Sequence, residues 1–157
     1  MFFLYHQNLY IKMFFSGPRK IKLKSFKFSR KKLSKKKIKN PLLKFGSFGL
    51  ISLDFNQVTI KQLESARKVL RRLIKKDGKI IINILPQNPL TKKPLQSRMG
   101  KGKGSFKIWF YPVKRGQVVL ECYGSNNFAI NKALKSCKQK FPMRTYIVQN
   151  RSLIFTY

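Results

Sequence analysis

The sequence predicts an α+β domain in which an antiparallel sheet carries two helices on one face, an α/β sandwich. A basic extended N-terminal arm precedes it, and a long basic Gly-rich loop interrupts it. Three observations support this prediction: two stretches have the apolar spacing of amphipathic helices, several short runs are rich in β-branched and aromatic residues, and 43% hydrophobic content with 14 Phe provides material for a core.

The net charge restricts the partners of this chain. Its 36 Lys and Arg stand against four acidic residues, and the formal charge is +32. Nucleic acid can neutralise such a charge, and self-repulsion opposes compactness until phosphates supply counter-charge. A stand-alone enzyme or a cationic membrane-surface peptide is not expected. Charge alone leaves open a nucleoid-type DNA-compacting basic protein.

Catalytic, metal and membrane signatures are weak. The single His6 and the scattered acids do not make a catalytic set, so we predict no enzyme and no cofactor. Cys122 and Cys137 are too far apart for a CxxC pair, which predicts two buried thiols rather than a metal site or a disulfide framework. The apolar opening, residues 1–15, is interrupted well short of the roughly 18 apolar residues of a span.

The first 44 residues form the predicted arm, with 14 Lys or Arg and no acid. Within it RKIKLKSFKFSRKKLSKKKIKN, residues 19–40, alternates cations with single apolar residues and cannot fold alone. A nuclear-localisation signal or a solvated charge run is the alternative to an arm that orders on RNA. The cations predicted to bind RNA phosphates are Arg19, Lys20, Lys22, Lys24, Lys27, Arg30, Lys31, Lys32, Lys35, Lys36 and Lys37.

Two amphipathic helices are predicted in the globular domain, residues 45–157. The first begins at a capping box made by Thr59 and Gln62 and ends at Gly78, while Pro142 stops the second. Cations on the outer face of the first helix would point toward solvent or RNA. The predicted apolar stripes are Ile60, Leu63, Ala66, Leu70, Leu73 and Ile74 in the first helix, and Ile130, Ala133, Leu134, Cys137 and Phe141 in the second.

Strand-forming runs occupy most of the remaining domain. In the first run, FGSFGLISLDF, Gly46 and Gly49 allow a bulge or a close approach of backbones. The uniformly apolar KIIINILP, residues 79–86, predicts a central strand that Pro86 ends. The other predicted strands are residues 105–113, 118–124, 144–150 and 152–157, with a hairpin turn at residues 114–117.

Residues 86–105 are predicted to lack secondary structure and to face RNA, because loops that long inside a compact domain are usually functional or disordered. Their last part, RMGKGKGS, alternates cations with three glycines. The pattern GxxxxGK[ST] is absent and a strand follows, which argues against a nucleotide site. Glycine permits close approach to an RNA backbone while Lys and Arg reach phosphates. A disordered basic loop is the alternative.

Three blocks of the sequence carry a family resemblance. FGSFGL, TIKQLESAR and DGKIIINILPQNPLTKKPLQSRMGKGKG occur in that order, and together they resemble the bacterial-type family of universal large-subunit ribosomal protein sixteen. The resemblance extends from about Pro18 to Tyr146. Its most specific piece is PLTKKPLQSRMGKGKG, residues 89–104.

The resemblance implies a protein bound to large-subunit rRNA beside the A site and near the central protuberance. Its other partners would be A-site tRNA and neighbouring large-subunit proteins, and it would not be a homo-oligomer. Family members do no chemistry; they help to position tRNA and to complete subunit assembly. The residues assigned to RNA by this resemblance are Arg98, Met99, Gly100, Lys101, Gly102, Lys103 and Gly104 at the loop tip, and Lys92 and Lys93 on its ascending limb.

Two departures from the family pattern concern the arm and the source. PRKIKLK, residues 18–24, only loosely matches the family's basic start, and residues 1–17 have no counterpart, so contacts of the arm are inferred from charge. Lys outnumbers Arg 27 to 9, which with the terminal extensions resembles a mitochondrially encoded member. Synthesis inside the organelle would require no import signal. A plastid or the bacterial cytoplasm is the alternative location.

Overall fold

The computed structural model describes residues 42–75, 78–100 and 102–150. Its elements alternate strands with two helices, as the sequence predicts. In chain order they are β1 Phe48–Ser52, β2 Asn56–Thr59, α1 Ile60–Ile74, β3 Gly78–Ile82, β4 Asn88–Lys92, β5 Ser105–Val113, β6 Val118–Gly124, α2 Asn127–Lys138 and β7 Thr145–Gln149.

The predicted α+β class with antiparallel strands is confirmed, and the strands are divided between two sheets. One sheet has four strands in the order β3-β6-β1-β7, and the other has three in the order β2-β5-β4. Every strand pair is antiparallel. The predicted hairpin turn between β5 and β6 is present, with Gly116 at φ 77°. The predicted strand at residues 152–157 lies outside the described residues.

Helix α1 begins as predicted and ends earlier. The Thr59 side chain accepts from the Gln62 N–H, and the Gln62 side chain accepts from the Thr59 N–H, which completes the capping box. The prediction that Gly78 ends the helix is wrong. Lys75 takes the positive φ of 57° after the last helical residue, and its N–H donates to the carbonyl of Arg71. Gly78 instead starts β3, where a Cβ would lie 2.7 Å from the Tyr123 carbonyl oxygen.

Helix α2 is capped by Asn126, whose side chain accepts from the Ala129 N–H. The helix ends at Lys138, so the prediction that Phe141 lies within it is wrong. The chain turns after the helix, with the Phe141 N–H donating to the Lys138 carbonyl. Phe141 nevertheless stays buried and joins the core.

The main core lies between the two helices and one face of the four-stranded sheet. Apolar residues of both helices meet Phe48, Leu50, Leu120 and Cys122 of the central strands, so both helices cover the same face. Both thiols are free and fully buried, as predicted, and burial raises the pKa of Cys122 and Cys137 to about 12. These thiols stay protonated and contribute as small apolar groups.

Strand β3 is an edge strand, and the prediction of a central strand is wrong. Ile80 and Ile82 pack against the core, whereas Ile81 points to the opposite face beside Glu121 of β6. The uniform apolar run therefore covers both faces at the sheet edge. A central strand and an edge strand with apolar residues on both faces have the same apolar composition, so composition alone could not show that β3 lies at the edge.

A buried carboxylate on the face opposite the helices joins the first described residues to the sheet. Glu121 is completely buried, and its Oε2 accepts from the N–H groups of Phe45 and Gly46, each at 2.8 Å. The Lys44 N–H and the Asn83 side chain also donate to it. A Cβ at residue 46 would lie 2.8 Å from the Cβ of Glu121, so only glycine permits this approach.

The ionisation of Glu121 follows from these contacts. Burial raises its pKa, but the hydrogen bonds from Phe45, Gly46, Asn83 and Lys44 stabilise the charged form and outweigh burial, so the pKa lies below the usual value of 4.5. The hydrogen-bond donors to this carboxylate are the neutral N–H groups of three backbone amides and of the Asn83 side chain. This arrangement therefore resembles the anion nests that backbone amides form.

We expect folding stability to fall in acid through this group. The depressed folded-state pKa means that the stabilisation is complete above about pH 4.5 and is lost as pH falls through the lower, folded-state value. Glu121→Gln should lower the free energy of unfolding at neutral pH by about 3 kcal/mol, because buried N–H groups lose a charged acceptor. Urea unfolding of the full chain, followed by circular dichroism with enough salt to screen its net charge, measures both the loss of stability in acid and the loss in Glu121→Gln.

The matched control is Asp54→Asn, because Asp54 also has a lowered pKa but lies at the surface with Arg144. Its urea midpoint at neutral pH should stay close to that of the unaltered chain, since exposed pairs contribute little. A Glu121→Gln chain with unchanged stability and an unchanged acid profile would contradict the assignment.

Candidate nucleic-acid interface

The loop predicted at residues 86–105 is a hairpin whose limbs are β4 and β5. Five residues expected to lack secondary structure, Asn88–Lys92, form β4 and pair with β5, so that part of the prediction is wrong. Because β4 is an edge strand, one side of its backbone pairs with no other strand, and a proline such as Pro89 is tolerated there although it lacks an N–H. The finger, as we name β4, β5 and the connecting residues 93–104, projects from the three-stranded sheet.

Glycine is required at the finger tip for two different reasons. Gly100 and Gly102 have φ of 92° and 79°, with no atom within 4 Å of a Cβ built on either, so the backbone conformation alone requires glycine there. Gly104 has no such φ, but its Cβ would lie 2.6 Å from the Lys92 carbonyl carbon. The two limbs therefore approach each other closely just before β5 begins.

The cations of the finger differ in their surroundings. Lys92, Arg98 and Lys103 are exposed. Lys93 is half-buried and its ammonium donates to the Gly100 carbonyl, so this predicted RNA ligand braces the tip from within. The tip also exposes apolar side chains, since Met99 is 99% and Leu95 92% exposed. An exposed, side-chain-poor tip with flanking cations can approach a polyanion closely.

The other predicted RNA-binding residues are placed as follows. Lys101 and the eleven cations of residues 19–37 lie outside the described residues. Of the charged outer face of α1, the exposed members are Lys61, Lys68, Arg71, Arg72 and Lys75. Lys68 contacts Glu64 at 3.1 Å, a pair worth little at an exposed helix surface.

An aromatic pair that the sequence did not predict lies in β5 of the finger. The rings of Phe106 and Trp109 lie 4.9 Å apart between centroids and are tilted by 50°. Exposed Lys107 separates them in sequence. The run SFKIWFYPV is predicted only as strand, and its two aromatics close to a lysine are the signal that could have indicated a surface role.

The acidic groups among the described residues are all engaged inside the protein. Arg144 donates two hydrogen bonds to Asp54 and thereby lowers the pKa of that carboxyl. Glu64 pairs with Lys68, and Glu121 is buried. Within residues 42–75, 78–100 and 102–150, no group of three His, Cys, Asp or Glu side chains could hold a metal ion.

Neither helix of the described part of the chain has the length and apolar character needed to cross a membrane.

The fold and the finger define a small, strongly basic α+β protein with a cationic hairpin. Residues 21–148 match the family of ribosomal protein L16p/L10e, and the chain belongs to that family. The match includes the whole finger and all seven strands, apart from the last residue of β7.

Individual relatives agree with the family match. Proteins named large ribosomal subunit protein uL16 from Borreliella burgdorferi strain ZS7, Borreliella afzelii strain PKo and Borrelia duttonii strain Ly are each 40% identical over 137 residues. The alignment covers 87% of this chain and 98% of each relative. The family resemblance inferred from the three sequence blocks is confirmed.

We expect Gly104→Ala to push the two limbs of the finger apart where the connecting segment meets β5, because the new Cβ would meet the backbone of Lys92 and Lys93 within 2.8 Å. Hydrogen exchange of the β4 and β5 amides in the full chain should accelerate about tenfold, which corresponds to a loss of about 1.4 kcal/mol. Gly102→Ala is the control. It strains the tip by about 1–2 kcal/mol without a clash, so strand protection should persist. Equal protection in both variants would contradict this account.

Proposed function

We propose that this protein is a structural constituent of the large ribosomal subunit that binds large-subunit rRNA. The observation that carries the proposal is the family match, which spans the cationic finger. The relatives named above are large-subunit proteins, which supports the same placement for this chain. Neighbouring ribosomal proteins are its further partners, and it acts as one copy within the particle rather than as a homo-oligomer.

Phosphate neutralisation is the proposed basis of rRNA binding. Each described acid is engaged within the protein, including Glu64 with Lys68 on α1, so these carboxylates compete little with phosphates for the exposed cations. Each phosphate neutralised on a single strand contributes about 0.7 to the slope of log K against log salt. The arm, whose cations include Arg19, Lys20 and Lys22, would add many such contacts.

We place the finger tip beside the A site and near the central protuberance, where it helps to position A-site tRNA and to complete subunit assembly. This placement rests on the resemblance of residues 89–104 to the family's loop. Arg98 and Met99 are exposed at the tip, which supports an RNA contact made by a protruding hairpin rather than inside a pocket. Positioning of tRNA by the tip and binding of rRNA by the arm are two separate proposed roles.

We further propose that the particle is a mitochondrial ribosome. The support is the excess of Lys over Arg and the segments at both termini without a counterpart in the family pattern. The bacterial cytoplasm is the alternative, because the relatives named above are bacterial. Fractionation that places the chain with organelle ribosomes would support the mitochondrial location, and its recovery on cytoplasmic bacterial ribosomes would overturn it.

A structural role fits the described chemistry better than catalysis. Both thiols are buried and protonated, and the carboxylates are paired or buried. The DNA-compacting alternative rests on charge alone and is weakened by the family match. Crosslinking in cells distinguishes the two, since recovery of mainly large-subunit rRNA supports the ribosomal proposal and recovery of mainly organelle DNA contradicts it.

We expect the triple variant Arg98→Ala, Lys101→Ala and Lys103→Ala to assemble into subunits but to slow A-site tRNA accommodation. Three cations are removed from an exposed tip, while the arm is retained. Stopped-flow measurement with reconstituted subunits should show a several-fold lower accommodation rate. The triple variant Lys61→Ala, Arg71→Ala and Arg72→Ala, which removes equal charge from α1, is the control. Equal rates in the two variants would contradict a tip-specific role.

Deletion of residues 18–40 should instead damage incorporation, because the arm supplies many phosphate contacts at once. The full chain should co-sediment with large subunits and resist release at moderate salt. The deleted chain should move largely to the free fraction of a sucrose gradient. Undiminished incorporation of the deleted chain would refute a binding role for the arm, and a large free pool of the full chain would count against the ribosomal proposal itself.

A further inference from the structure

A bulge in β5 places two aromatic rings on one face at the base of the finger. Leu90 pairs with Ile108 and Thr91 pairs with Phe106, so Lys107 is an extra residue without a partner in the register. In a regular strand, residues three apart point to opposite faces. The extra residue brings Phe106 to the face of Trp109, where the rings contact each other.

This aromatic pair, Phe106 with Trp109, is not part of the main hydrophobic core. Phe106 is 40% exposed and Trp109 is half-buried. A pair that served packing alone would gain most from complete burial, since aromatic rings contribute chiefly through the apolar area they remove from water. The Trp109 ring instead supports a neighbouring ring that stays open to solvent.

One lysine adjoins the aromatic pair in the chain. Lys107 lies between the two aromatics in sequence, whereas Lys92 pairs in register with Ser105 and therefore lies on the face opposite Phe106. Both lysines are exposed. The sequence from Gly78 to Leu120 contains no Asp or Glu. Exposed rings flanked by cations form the combination that binds unpaired nucleotides, because a base stacks on the ring while its phosphates meet the cations.

We propose that the Phe106–Trp109 pair stacks on one unpaired base of RNA, with Lys107 on an adjacent phosphate. The inference rests on the proposed function, since it assumes an RNA partner, and adds a stacking site at the base of the finger. Unpaired RNA is favoured over duplex because duplex bases are already stacked upon each other. It is favoured over a protein partner because the surrounding charge is positive throughout.

Trp109 provides a direct probe, because it is the single Trp of the chain. Single-stranded RNA added to the full chain should quench Trp fluorescence, whereas blunt duplex RNA of equal length should bind with little quenching. Phe106→Leu should weaken single-strand binding about tenfold, as expected for loss of stacking, and leave the salt slope unchanged. Lys107→Ala should instead reduce the salt slope by about 0.7.

Phe128→Leu is the matched control, because Phe128 is 79% exposed on α2, outside the finger. It should bind single-stranded RNA as the unaltered chain does, and circular dichroism should show that all variants keep the fold. Anisotropy of labelled RNA reports binding independently of Trp109. RNA binding without quenching, or unchanged affinity in Phe106→Leu, would overturn the stacking site and leave the proposed function standing.

Two further outcomes distinguish the RNA stacking site from the proposed function and from a protein contact. Absence of RNA binding by anisotropy in the full chain would count against the proposed function and the stacking site together. If Phe106→Leu binds RNA normally but releases a neighbouring protein from assembled subunits, the aromatic pair is a protein contact and the RNA inference is wrong.

Discussion

The buried Glu121 carboxylate is the interaction on which the arrangement of the domain depends. It collects N–H groups from Phe45 and Gly46 and thereby fixes the chain, just after the basic arm, across the sheet face that the helices leave uncovered. A neutral residue there would leave several buried donors unsatisfied. In a chain of +32, this anion stabilises the interior through hydrogen bonds from neutral amides.

The same interaction relates the arm to the finger. Glu121 lies on β6, which follows β5 through the tight turn at Gly116. The carboxylate therefore holds residues 44–46, which follow most of the predicted arm, on the strand that comes next after β5 in the chain.

Local contacts were predictable from sequence, and distant ones were not. The Thr59–Gln62 capping box links residues three apart and has a known pattern, so its prediction was confirmed. Strand β4 was missed because Pro89 suggests a loop, although an edge strand tolerates it. The partners of Glu121 are backbone amides about 75 residues away, which no side-chain pattern indicates. The β5 bulge depends on pairing with β4, so its aromatic pair was also missed.

The extra residue in β5 also separates two parts of the hairpin. Below the bulge, Val113 and its neighbours must keep the alternation that buries one side against the core. On the other side of the bulge, toward the tip, the extra residue Lys107 shifts the alternation by one, so Phe106 faces the same side as Trp109. Loss of this one residue would move Phe106 to the face opposite Trp109 while leaving the alternation of Val113 and its neighbours unchanged, so a single insertion decides which side of the hairpin carries the exposed ring.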